Sequence, residues 1–266
     1  MREVTERILK ALERNDVVAL ATVIKSRVPE RAKVGMKLLV KPDGPAIGSL
    51  LGSELEGGIV EDCLKSIDER EESRIVRYSL TAQGDQPAVE DAVEVYMEVI
   101  CDRPAMLIVG AGHIGLHLTR VAKFLGFEVT IIDDRADFAN SQRLPEADRV
   151  IAADMAETLA SLKIGPNSYV VLVTRGHKFD EGALRQVVAS NAAYVGMIGS
   201  RSRVRTVKGR LIHDGFSKER VEAIYAPIGI DIGAQTPEEI ALSIMAEIVN
   251  IRRGGSVESI RDKARR

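Results

Sequence analysis

The chain has 266 residues, 45% of them hydrophobic, and a formal net charge of −2. That length suits two globular domains, and the near-neutral balance removes any global electrostatic case for nucleic acid or an anionic membrane surface. Tryptophan is absent and aromatics are 4%, which leaves no base-stacking platform. The two cysteines, Cys63 and Cys101, lack CxxC spacing, which argues against a disulfide scaffold or a thiolate zinc cage and for a reducing compartment.

The first predicted element is a helix over Glu3–Arg14, with Val4, Ile8, Leu9 and Leu12 on one face. It holds no signal-peptide core, and no apolar stretch of the chain approaches membrane-spanning length, so a cytoplasmic protein without a membrane partner is expected. Strand-like runs follow at Val17–Ile24 and Met36–Val40, then a turn at Pro42-Asp43-Gly44-Pro45. A glycine-rich stretch from Gly48 to Gly58 is read as a loop opening a helix from about Ile59 to Ile67, with Glu61 and Asp62 in its first turn. Cys63 lies on the face of Ile59 and reads as a buried, inert thiol, with a catalytic role as the other candidate reading. Strands at Arg74–Leu80 and Ala92–Ile100 complete a small α+β domain, residues 1–101. Asp102-Arg103-Pro104 reads as a hinge, with the connector spanning residues 102–105.

From there strand and helix alternate. Strands are predicted at Met106–Gly110, Glu128–Asp133, Arg149–Ala152, Tyr169–Thr174, Ala193–Ile198 and Ala223–Tyr225. Helices are predicted at Leu116–Leu125, Met155–Leu162, Asp180–Ser190, Arg201–His213 and Pro237–Arg253, the last opened by a Thr236–Glu239 capping box with Pro237 at the first helical position. Six strands with helical crossovers imply a Rossmann-like, doubly wound parallel sheet over residues 106–253, leaving a polar, basic tail at 254–266.

Four loops of this half carry candidate chemistry. Gly110-Ala111-Gly112-His113-Ile114-Gly115 sits between a buried strand and a helix, as a diphosphate-binding turn does, and Asp133 at the end of the next strand stands where an acid reads ribose hydroxyls. His113 adds a donor beside the anion; His117, one turn on, reads as exposed. Arg175 and Lys178 follow the fourth strand and suit phosphate, while His177 and Asp180 are acid/base candidates, Asp180 doubling as a helix cap. Gly199, Ser200 and Arg201, with Arg203 and Arg205, form a second anion site or a capped helix with a solvated basic face. Asp231, in a glycine-bearing loop, contacts either a cation or backbone N–H groups. Three alternatives follow from the residues: a phosphorylated-ligand carrier, an NAD(P)-dependent oxidoreductase, or a nucleotide-gated regulatory module.

Several of these segments together resemble the XdhC/CoxI family of xanthine dehydrogenase accessory proteins. They are GAGHIG at 110–115, Asp133-Asp134-Arg135, Thr174-Arg175-Gly176-His177, Gly196-Met197-Ile198-Gly199-Ser200-Arg201, and Ala226-Pro227-Ile228-Gly229 through Thr236-Pro237-Glu238-Glu239-Ile240-Ala241. In the first half Ala21–Ile24, Gly35–Val40, Asp43-Gly44, Gly48-Ser49 and Gly57–Glu61 follow the family order more loosely, and Ile59 stands where the family commonly has cysteine. The resemblance implies an accessory protein, more chaperone than enzyme. It would bind the molybdenum cofactor (molybdopterin or its dinucleotide) at the loops above and pass it to a xanthine dehydrogenase-type hydroxylase. A cysteine desulfurase as partner and a homodimer are implied with it.

Overall fold

The computed structural model of the chain describes residues 2–13, 16–42, 44–50, 53–69, 73–80, 88–101 and 103–258. Arg14, Asp43, Gly52, Asp102 and tail residues 259–266 lie outside them. The chain divides into two compact units, Met1–Asp102 and Arg103–Arg266.

The first unit runs α1 (Arg2–Glu13), β1 (Val18–Ser26), β2 (Lys37–Val40), β3 (Ile47–Gly48), α2 (Ser53–Glu69), β4 (Ser73–Leu80) and β5 (Val89–Ile100). Its strands form one antiparallel sheet in the order β3-β2-β1-β5-β4. Alternation along β1 sends Ala19, Ala21 and Val23 to the face packed by Leu55, Ile59 and Cys63 of α2. Val18 and Leu20 go to the opposite face, against Val4 and Ala11 of α1. The helix expected from Ile59 begins at Ser53 instead, because Leu55, Ile59 and Cys63 form one buried i, i+4, i+8 stripe. Gly57 and Gly58 fall inside it, where an added Cβ meets nothing within 4 Å. Glu61 and Asp62 are therefore mid-helix. Asp62 accepts from Tyr78 Oη at 2.5 Å and from Arg74 at 3.1 Å.

The second unit runs β6 (Ala105–Val109), α3 (His113–Phe124), β7 (Glu128–Asp133), β8 (Arg149–Ala152), α4 (Met155–Ser161), β9 (Ser168–Leu172), α5 (His177–Val187), β10 (Tyr194–Met197), α6 (Arg201–His213), α7 (Lys218–Glu222) and α8 (Pro237–Arg252). All five strands are parallel, in the order β10-β9-β6-β7-β8. Ile108, Ile131 and Val171 share one core with Leu118 of α3 and Ile244 of α8. Val109, Ile132 and Leu172 share the other with Met155, Leu184 and Val207 of α4, α5 and α6. Helices thus cover both faces, and the strands read as continuous apolar runs for that reason. Each fully buried leucine or isoleucine contributes about 1.5–3 kcal/mol.

Two details of the sheet depart from expectation. The sixth strand, Ala223–Tyr225, contributes only a single parallel bridge, Gly196 to Tyr225, since Pro227 just beyond it has no N–H to extend a ladder. Ala105, assigned to the connector, is the first residue of β6 and pairs with both Glu128 and Ser168. The capping box of α8 is formed as expected: the Thr236 hydroxyl accepts from Glu239 N, and the Glu239 carboxylate accepts from Thr236 N at 3.0 Å. Among the described residues no helix is long and apolar enough to cross a membrane.

Candidate functional site

Chain order reverses between β6 and β9: the path steps from β6 to β7 and β8 on one side, then returns to β9 and β10 on the other. At such a switch point the two departing loops part and leave a crevice above the carboxyl ends of the strands. Here those loops are Gly110–Gly112 and Thr174–Gly176. The loop after β10, Ile198–Ser200, opens along the same edge.

The glycine turn is fitted to this place. Gly110 has φ +112°, and an added Cβ would lie 2.6 Å from Val173 O of the β9 side. At Gly115 an added Cβ would lie 2.0 Å from Gly110 O, so only hydrogen lets α3 pack on the turn. Gly112, by contrast, faces open space, with nothing within 4 Å of a Cβ. It is the N-cap of α3, and no side chain caps the helix there. The first N–H groups of this 12-residue helix, at the positive end of its dipole, thus have no side-chain cap.

Asp133 is spent on holding that turn. It is 1% exposed; Oδ2 accepts from Ala111 N at 2.8 Å, and Oδ1 accepts from Arg135 N at 3.0 Å and Arg135 Nε at 2.8 Å. Burial pushes its carboxyl up, but the Arg135 guanidinium and the two backbone N–H groups outweigh this and hold it at about 2. Both oxygens are filled from the protein, which leaves a ribose little to bind. Arg143, on the segment after β7, donates to Ala111 O and, at 3.2 Å, to Phe138 O. The Arg135 and Arg143 guanidiniums lie 3.7 and 4.9 Å from the Phe138 ring centre.

On the other side of the crevice, Gly176 is the N-cap of α5, again with no side-chain cap. Arg175 is partly exposed, lies 4.9 Å from the Phe179 ring centre and reaches Asp134 at 2.8 Å. The side chains of His177 and Lys178 lie outside the described residues. Asp180 does not cap the helix. It sits one turn inside and is fully buried, its carboxylate taken by the Thr174 hydroxyl and the Arg203 guanidinium. It acts as a strut between α5 and α6, with no oxygen facing the crevice. Burial lowers the pKa of Arg203.

The remaining candidates are more dispersed. Ser200 caps α6, accepting from Arg203 N at 3.2 Å, and at Gly199 an added Cβ would lie 3.1 Å from Arg203 Cδ, a tight contact with a side chain. This helix start is already satisfied by its own serine. Arg201 lines a cavity on the outside of α6. Asp231 is exposed and accepts from Gly233 N at 3.2 Å, a local turn. Its loop is clamped to α8: Glu247 Oε1 accepts from Gly229 N at 3.1 Å and Tyr194 Oη at 2.5 Å. His113 is exposed at the first position of α3. His117, expected to be solvated, is instead 22% exposed, with Nε2 3.0 Å from Glu238 of α8. Cys63 belongs to the core of the other unit. Its thiol is pushed up to about 11 by burial and by Asp62, with Arg74 opposing. Ile59 is likewise buried there.

Sequence reasoning missed Arg143, the pairing of Asp134 with Arg175 and the Tyr194–Glu247 clamp. Arg143 reaches back 32 residues to the turn and Glu247 reaches back 53 residues to Tyr194, so no local pattern marks either.

Comparison with known proteins agrees with this architecture. Residues 106–248, more than half of the chain, match the XdhC Rossmann domain, and residues 11–79 match the XdhC and CoxI family. The uncharacterized protein YqeB of Escherichia coli K12 is 28% identical over 247 residues, covering 91% of this chain and 45% of that protein. A probable xanthine dehydrogenase subunit from Bacillus subtilis 168 is 29% identical over 167 residues, 63% of this chain and 48% of its own length. The molybdenum cofactor insertion chaperone PaoD of Escherichia coli K12 is 29% identical over 100 residues, 37% of this chain and 31% of its own. The chain thus spans less than half the length of each of these relatives. A Bacillus halodurans crystal structure, described as a xanthine dehydrogenase, shares the fold with a TM-score of 0.51, 21% identity and coverage of 96% and 97% of the two chains. The protein belongs to the XdhC and CoxI family, with an XdhC Rossmann domain as its second unit.

Proposed function

We propose that the chain binds the molybdenum cofactor as cargo by its phosphate or diphosphate, at the switch point between β6 and β9. In this reading it protects the cofactor and hands it to a xanthine dehydrogenase-type hydroxylase. It acts in the cytoplasm as a homodimer, and a cysteine desulfurase supplies sulfur before insertion. PaoD, a relative named for cofactor insertion, supports the cargo; the Bacillus subtilis relative, named for xanthine dehydrogenase, supports the client.

The observation that carries the reading is the bare position at Gly112. An uncapped helix start with open space above it accepts a phosphoryl group against backbone N–H donors. Arg175, on the loop after β9, is a cationic donor whose present partner, Asp134, is exposed and exchangeable. The donor set fits phosphate and offers no thiolate to the metal. The acid that ends β7, Asp133, is turned inward to the protein, which weighs against its reading a ribose as in a dehydrogenase site. Asp180 and Cys63 are buried, so the residues suit a carrier better than a catalyst.

The test is pterin content. Protein purified from a host that makes the cofactor is expected to release a fluorescent oxidised pterin in proportion to chain. Gly112→Val, which places a branched side chain over the helix start, is expected to release little. Pterin-free wild type, or equal pterin in the variant, contradicts the proposal.

A further inference from the structure

A cavity of about 470 Å³ lies on the outer side of α6, against the segment that follows α7. Arg201, Arg205, Lys208, Gly209 and Ile212 line it from the helix, and Pro227 closes it from the other wall. These helix positions follow i, i+4, i+7, i+8 and i+11, so they form one stripe. The volume is that of a small-molecule site.

The charges on the stripe are unequal in kind. Lys208 is fixed: Nζ donates to Ile224 O at 3.0 Å and Glu222 O at 3.2 Å, and approaches Glu222 Oε2 at 3.5 Å. Glu222, the cavity's acid, is paired with Lys208 at 3.5 Å and is 57% exposed. Arg201 and Arg205 have no ion-pair partner among the described residues, although other arginines of the same helix, Arg203 and Arg210, do. Two guanidiniums one helical turn apart present two forks to linked oxyanions.

Beyond them the floor is bare. Gly209 sits inside a 13-residue helix, where glycine costs about 1 kcal/mol relative to alanine. An added Cβ there meets nothing within 4 Å, so packing does not require it. Ile212, Val204 and Pro227 make the adjoining surface apolar. A cationic end beside a flat apolar floor matches a molecule with a phosphorylated end and a ring.

We propose that this groove is a second ligand site, for a nucleoside diphosphate, with the diphosphate on Arg201 and Arg205 and the base over Gly209 against Ile212 and Pro227. It stands apart from the glycine turn and does not depend on what binds there.

ADP and inorganic pyrophosphate, titrated calorimetrically into the full chain, test it. ADP is expected to bind in the micromolar range. Gly209→Leu fills the floor without touching charge; it is expected to weaken ADP by about tenfold or more while leaving pyrophosphate within about threefold. Its melting temperature should be unchanged or higher, since leucine is the better helix former. Arg205→Glu is expected to lose both ligands with its circular dichroism intact, and Arg175→Ala to leave ADP binding unchanged. Silence with ADP at millimolar concentration overturns the proposal. So does wild-type ADP affinity in both Gly209→Leu and Arg205→Glu, or loss of ADP binding in Arg175→Ala instead of in them.

Discussion

Arg175 and Asp134 are joined across the glycine turn, guanidinium to carboxylate, at 2.8 and 3.2 Å. One follows β9 and the other follows β7, the two strands that flank β6 in the sheet. The partners are 41% and 29% exposed, and pairs of that exposure contribute only about 0–1 kcal/mol. In the proposed function, a phosphate at Gly112 would compete with Asp134 for Arg175 at little cost.

Asp134→Asn is accordingly expected to tighten binding of the phosphorylated pterin a few-fold, by releasing the arginine. Arg175→Ala is expected to weaken it about tenfold, the usual effect of one charge-assisted contact. Neither should move the melting temperature by more than about 4 °C. Equilibrium titration beside thermal scanning reads both quantities; unchanged affinity in both variants removes Arg175 from the site.

Asp133 carries a stability consequence of definite sign. Its folded pKa, about 2, lies below the usual 3.8, so its contribution is present above about pH 4 and lost as pH falls towards 2. The shift corresponds to about 2 kcal/mol. Asp133→Asn should be less stable at neutral pH and should show a flatter loss of stability between about pH 4 and 2. Asp133→Ala, which also strands Ala111 N–H and the Arg135 guanidinium, should cost about 3 kcal/mol. Urea unfolding at several pH values measures this, and parallel wild-type and Asn curves contradict it.

Two glycines of one motif are expected to part company. Gly115→Ala drives a methyl to within 2.0 Å of Gly110 O and should destabilise the second unit by about 1–3 kcal/mol. Gly112→Ala meets nothing and should fold as wild type while binding the pterin more weakly, because the methyl occupies the space a phosphate needs. Chemical denaturation paired with titration separates the two effects; equal destabilisation of both refutes the distinction.

Thiol chemistry offers an independent check on the first unit. Cys101 is exposed and Cys63 is buried, its pKa raised to about 11. At pH 8 the Cys63 thiolate fraction is of order one in a thousand. Alkylation of the native protein should modify Cys101 and spare Cys63 until denaturant is added, as peptide mass mapping would show. Rapid native labelling of Cys63 would mean that the α2 core opens.

Much of the second unit was legible because its signals are local. Apolar runs of five residues, a glycine turn and the Thr236–Glu239 box each name an element without reference to distant chain. The α2 start was misread because glycine usually marks a loop, whereas here the Leu55–Ile59–Cys63 stripe overrides two exposed glycines. The site was legible in outline and not in its bonding. GAGHIG and Arg175 follow adjacent strands, and the alternating pattern places them together. That Asp133 faces inward depends on Arg135 and the Ala111 N–H, and that Asp180 is a strut depends on Arg203. Arg135 is a sequence neighbour of Asp133, whereas Arg203 reaches Asp180 from 23 residues away, which packing sets and spacing does not.

Direct titration of purified molybdopterin tests the central claim, that the switch point holds a phosphorylated pterin through the uncapped start of α3. Wild type is expected to bind in the micromolar range or tighter, about −8 kcal/mol, with Gly112→Val at least tenfold weaker and NAD silent at millimolar concentration. Equal molybdopterin affinity in wild type and Gly112→Val, or tight NAD binding that the valine abolishes, would contradict it.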